Sequence, residues 1–181
     1  MSAMLTRRVL IPAGIGLFFL ASGLVALNLT GVEPGTDNPV LVTSHPAANL
    51  TMTVTLNHGR LIAGRPLTVH VELANTGGST VVLPPDSICV QPLRLELLDA
   101  SGRVVWSQPV PMIACPLEQQ PPSFRKQTFL NPGETRTADA CFQLAGTPDR
   151  CVVLDLAAGS YWVAGTYYGY ALPQAEFRIV R

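Results

Sequence analysis

From Leu50 onward the chain alternates apolar and polar residues with a period of two, and no stretch holds the 3.6-residue period of a helix. "TMTVTL" sets Met52, Val54 and Leu56 against threonines. "LTVHVEL" sets Leu67, Val69, Val71 and Leu73 against Thr68, His70 and Glu72, and "LRLEL" sets Leu93, Leu95 and Leu97 against Arg94 and Glu96. Successive side chains on a strand point to opposite faces, so each segment reads as a half-buried antiparallel strand with one face in a core. Further strands are expected at 79–83, 103–107, 135–143, 160–168 and 175–180. Turn chemistry separates them: Asn75-Thr-Gly-Gly, Asp99-Ala-Ser-Gly and Asn131-Pro-Gly. About eight short strands with such punctuation predict an all-β, immunoglobulin-like antiparallel β-sandwich over residues 49–181.

All four tyrosines of the chain fall in "LAAGSYWVAGTYYGY", residues 156–170. The spacing of Leu156, Gly159 and Tyr161 is that of a tyrosine corner, in which the phenol bonds back to upstream backbone. Tyr161, Val163, Gly165 and Tyr167 would share one face of the following strand, with Trp162, Ala164, Thr166 and Tyr168 on the other. Tyr167, Tyr168 and Tyr170 stand where that strand gives way to a loop. They are either core aromatics at a rim or a contact cluster for a partner.

Before the sandwich the chain is of another kind. Residues 1–8 end in Arg7 and Arg8, and residues 9–29 carry no charge. As a helix those 21 residues would span about 31 Å, the thickness of a bilayer core. A transmembrane signal anchor is the preferred reading; a cleaved signal peptide ending near Ala21–Gly23 and a buried helix are the alternatives. The flanking arginines put the N-terminus in the cytoplasm and the remainder outside, so the expected location is the cell membrane, single-pass, with an extracytoplasmic C-terminal domain that is secreted if cleavage occurs. Residues 30–48, rich in Pro, Gly and small polar residues, read as a linker. Four cysteines lie in the exported part: Cys89, Cys115, Cys141 and Cys151. None forms a C-x-x-C pair, so disulfides are expected rather than a metal or redox centre. Neighbour pairing, Cys89–Cys115 and Cys141–Cys151, is preferred among three connectivities.

Composition narrows function mostly by exclusion. Twelve basic and twelve acidic residues balance, and no Lys/Arg patch stands out, so a nucleic-acid partner is not expected. No nucleophile elbow, metalloprotease helix, phosphate loop or paired-carboxylate arrangement occurs. His70 and Glu72 share a strand face but lack a third ligand, while His45 lies in the linker and His58 in a turn. The expectation is a non-enzymatic chain with no cofactor and no metal.

The order of motifs in "PLTVHVELANTGGSTVVL", "LRLELLDASGRVVW", "LNPGETRTADACFQL" and "LAAGSYWVAGTY" resembles the BsuPI family of intracellular proteinase inhibitors over about residues 65–180. The resemblance rests on Asn75; on Asp99, Gly102 and Trp106; on Leu130 to Thr135; and on Gly159, Tyr161 and Val163. It implies an immunoglobulin-like sandwich and raises protease inhibition as an activity. The family's namesake acts inside the cell without a cysteine framework, whereas this chain reads as exported with four. One segment suits an inhibitor physically. "SQPVPMIACPLEQQPPSFRK", residues 107–126, is held extended by prolines and carries Cys115. Met112 or Leu117 would suit a subtilisin-like enzyme, Arg125 and Lys126 a trypsin-like one.

Two functions are therefore expected in competition. The first is a membrane-tethered, extracytoplasmic module that binds another protein, whether a protease or an envelope component. The alternative is an active protease inhibitor docking through loop 107–126. The oligomeric state is not legible.

Overall fold

The computed structural model describes residues 37–84, 91–109, 127–146 and 151–181. Thirteen strands run through them: β1 (Val40–Ala47), β2 (Leu50–Leu56), β3 (Arg60–Leu61), β4 (Leu67–Asn75), β5 (Val81–Leu83), β6 (Leu93–Asp99), β7 (Val104–Ser107), β8 (Thr128–Leu130), β9 (Thr135–Gln143), β10 (Val152–Val153), β11 (Gly159–Tyr167), β12 (Tyr170–Ala171) and β13 (Ala175–Ile179). Among the described residues there is no helix, and none long and apolar enough to cross a membrane. Residues 9–29 lie outside them, as do Cys89, Cys115 and the segment 110–126.

Two main sheets form, with strand orders β1-β2-β4-β9-β10 and β3-β13-β11-β6-β7, and β5 with β8 makes a two-stranded ribbon. The alternation read from the sequence decides which side of each strand is buried. Leu50, Met52, Val54 and Leu56 of β2 and Leu67, Val69, Val71 and Leu73 of β4 are at most 1% exposed. They share one core with Leu95 and Leu97 of β6, Val163 of β11 and Phe177 of β13. Trp106 of the second sheet meets Phe142 of the first edge-on, ring centroids 5.2 Å apart, so the two layers face each other across this core.

Two expectations need correction. The sheets are mixed rather than purely antiparallel, because β10 pairs with β9, and β3 with β13, in parallel. Both parallel partners are two-residue strands on sheet margins, laid down by chain returning along a neighbour. Part of the expected linker is also structured: residues 40–47 form β1, which pairs with β2 from Val40↔Leu56 to Ala47↔Leu50. Val40 and Val42 point inward and are buried there.

Asn75 ties the layers' turns together. Its amide nitrogen donates to the carbonyls of Ser79 (2.8 Å) and Leu130 (2.9 Å), and its Oδ1 accepts from the Gly77 amide (3.0 Å). The side chain is 1% exposed, so these three bonds are what make its burial tolerable. Next to it, Asn131-Pro-Gly-Glu closes a turn through Glu134 N–H to Asn131 O (2.9 Å), with Gly133 at φ +75°. That φ, following proline, is what a type II turn requires. Cys141 and Cys151 form a disulfide, Cα atoms 4.6 Å apart, fastening the end of β9 to the start of β10.

Candidate functional site

A cleft of about 610 Å³ opens between the end of β1 and the segment that follows β11. The β1 wall exists because its ladder is irregular. Between Ser44↔Met52 and Ala47↔Leu50, β1 has two residues, His45 and Pro46, where β2 has only Thr51. This is a bulge, and Pro46 suits it because it has no N–H to give a ladder. His45 Nδ1 lies 3.2 Å from the Thr51 hydroxyl, which fixes the ring against the strand it has left.

The opposite wall is a hairpin. Tyr167 and Tyr170 are the closing pair of β11 and β12, leaving Tyr168 and Gly169 as a two-residue turn. Their φ values are +49° and +80°, the two positive φ angles of a type I′ turn. A tyrosine in that conformation carries backbone strain, offset here by its contacts. The Tyr168 amide donates to Pro92 O at 2.8 Å, and its ring packs on Tyr167 with centroids 4.7 Å apart. Beyond the turn, Leu172 N–H donates to Gly165 O (3.0 Å), folding residues 172–174 back along β11. Gly165 permits this crowding: a Cβ there would stand 2.0 Å from the Arg94 carbonyl oxygen. Trp162, half-buried, completes the lining between the two walls.

The site's electrostatics are simple. None of the ten lining residues is Asp, Glu, Lys or Arg. Apolar and aromatic surface from Trp162, Tyr170, Pro46, Leu172 and Pro173 is bordered by Ser44, His45 and Gln174. A lining of this kind binds by excluding water from apolar groups, with a few hydrogen bonds to orient them.

The tyrosine cluster divides. Tyr161 donates its phenolic hydrogen to Ala157 O at 3.0 Å, four residues upstream, which is the bond of a tyrosine corner. Tyr167 and Tyr168 are only 2% and 7% exposed, so as partner contacts both are corrected: they are core. Tyr170 alone of the three lines the cleft. Met112, Leu117, Arg125 and Lys126 fall outside the described residues. The partner of His70 is Asp139, directly opposite on β9, with Nδ1 to Oδ1 at 2.7 Å; Glu72 stands opposite Thr137 instead. That pair lies on the open outer face of the first sheet, in neither of the clefts described here.

Ser44, His45, Pro46, Trp162 and Gln174 were not singled out by sequence reasoning as a site. The available signal was Pro46 inside an otherwise strand-like run, which marks a break in an edge ladder.

No family model matches the sequence, and no curated protein matches it. Among solved structures, the chain is similar to Pseudomonas fluorescens alkylpurine DNA glycosylase AlkC bound to DNA containing an abasic site analog. The likeness has 13% identity and a TM-score of 0.41, and covers 75% of this chain and 31% of that one. The chain thus spans about a third of that protein's length.

Proposed function

We propose that this chain is a membrane-tethered, extracytoplasmic, immunoglobulin-like module that binds another protein through the cleft between β1 and the β11–β12 hairpin. The cleft carries the reading: about 610 Å³ with aromatic and proline walls and no charged side chain is suited to apolar side chains of a partner segment. The two facing sheets and the Tyr161 corner support an immunoglobulin-like sandwich. The Cys141–Cys151 disulfide supports an oxidising compartment, and residues 9–29 support the tether. The module acts by binding, without catalysis. Its resemblance to BsuPI-type inhibitors rests on turns such as Asn75 and Asn131–Glu134, which hold strand ends together and dock nothing.

The test is site-specific photo-crosslinking of the full chain in native membranes. A crosslinker replacing Tyr170 is expected to give one discrete protein adduct, lost when Trp162→Ala is added. The same group at Leu41, exposed on β1, should give none. Adducts of equal yield from both positions, or none from Tyr170, would overturn the reading.

A further inference from the structure

The opposite end of the domain is basic. A second cleft, about 390 Å³, is lined by seven residues, of which three are arginines and none is acidic: Arg60, Arg178 and Arg181, over a floor that includes Ala158 and Gly159. The sheet itself brings two of them together, since Arg178 of β13 and Arg60 of β3 are direct partners in register. Like charges placed opposite each other weaken a sheet, so this pairing works against the fold rather than for it. Arg65 faces Asp37 (3.2 Å), Arg103 faces Asp99 (3.0 Å) and Arg181 faces Asp155 (3.3 Å). Asp155 is fully exposed and holds Arg181 weakly. Glu176, the nearest acid along β13, stands opposite Trp162 rather than between the arginines.

This end is also where the chain arrives from residues 9–29. Asn38 O accepts from Gly59 N–H (3.0 Å), and Gly59 O accepts from Arg178 N–H (2.9 Å). Arg60 follows directly. Leu29 and Asp37 are eight positions apart, and a chain of that length reaches at most about 28 Å. On the tethered reading proposed above, the arginine cleft is therefore held near the bilayer surface, while Tyr170 and His45 lie at the far ends of β11 and β1.

We propose that the Arg60–Arg178–Arg181 cleft is a phosphate site whose occupant is the headgroup of the lipid bilayer in which the chain is tethered. Guanidinium groups are planar donors that match phosphate oxygens two at a time, and an anion between Arg60 and Arg178 removes the repulsion that their register imposes. Binding there would orient the domain, with its basic end down and its aromatic cleft presented outward.

The test uses the full chain with isotopically labelled arginine. In neutral detergent, inorganic phosphate is titrated against the guanidinium resonances. In nanodiscs of phosphatidylcholine with phosphatidylglycerol, a gadolinium headgroup lipid reports proximity. Saturable shifts at Arg60 and Arg178, at least tenfold weaker in Arg178→Gln and in Arg60→Gln but unchanged in Arg103→Gln, are expected. So is headgroup broadening of these resonances with the Trp162 indole left sharp. No saturable phosphate shift, or phosphate binding without headgroup broadening in disc-embedded protein, would overturn the proposal. Failure of the chain to co-purify with discs would sink the tether instead, and the phosphate titration in detergent would still decide whether the site exists.

Discussion

Asn75 shows how much of this fold hangs on single polar side chains. Its amide satisfies two carbonyls and one N–H, joining the end of β4 to the turn after it and to the end of β8. Asn75→Ala would leave these groups without partners in a dry environment. A loss of about 3 kcal/mol is expected, since each buried orphan costs roughly 1–3 kcal/mol. Asn75→Asp should be worse, because it sets a carboxylate against two carbonyl oxygens. Urea denaturation checks both, and an alanine variant within about 0.5 kcal/mol of wild type would show that water replaces the amide. Tyr161 makes a smaller claim. Its acceptor, Ala157, is exposed, so Tyr161→Phe should cost only about 1 kcal/mol. Tyr170→Phe should leave stability unchanged; equal losses at both positions would remove the special role of the corner.

At the scale of elements, the β6–β7 hairpin carries a pH signature. Asp99 accepts from the Ser101 hydroxyl, from the amides of Ser101 and Arg103, and from the Arg103 guanidinium. These bonds, the Ser101 hydroxyl foremost, hold its carboxyl at about 2 against an ordinary 3.8. A carboxylate depressed on folding stabilises above its unfolded pKa, and that contribution disappears as pH falls through the folded value. The hairpin should therefore lose support between about pH 4 and pH 2, and Asp99→Asn should flatten the acid limb of a stability–pH curve. An unchanged acid limb in that variant would place the effect elsewhere. The β9–β10 connection has a redox signature instead. Cys141 and Cys151 enclose a ten-residue separation, for which loop-closure entropy gives about 2.5 kcal/mol. The Cys141→Ser, Cys151→Ser double variant should lose about that much at constant denaturant slope. A loss near zero would mean that the parallel β9–β10 pairing holds the loop unaided.

For the whole molecule, the period-two alternation carried the architecture because core and solvent sit on opposite faces of nearly every long strand. Each of the eight strands read from the sequence has its counterpart, from β2 to β13. What escaped has physical causes. β3, β10 and β12 are two residues long, too short for any period to appear. β1 was masked by Pro46 and by its Pro- and Gly-rich surroundings. The cleft was less legible still, since it joins a bulge near residue 45 to a hairpin near residue 170, and the positive φ of Tyr168 leaves no trace in composition. One contact between the layers tests whether they form a single cooperative unit. Phe142 is fully buried, pairs with Leu67 in its own sheet and meets Trp106 of the other. Because that ring bridges both layers, Phe142→Ala opens a cavity that neither sheet can fill alone, at an expected cost of about 3–5 kcal/mol. Tryptophan fluorescence reports the second sheet, which holds Trp106 and Trp162, whereas far-ultraviolet circular dichroism reports both. The two transitions should shift together and stay superimposed in the variant, because a shared core melts as one. A fluorescence transition that separates from the dichroism would show that the sheets unfold independently and that the Trp106–Phe142 contact does not couple them.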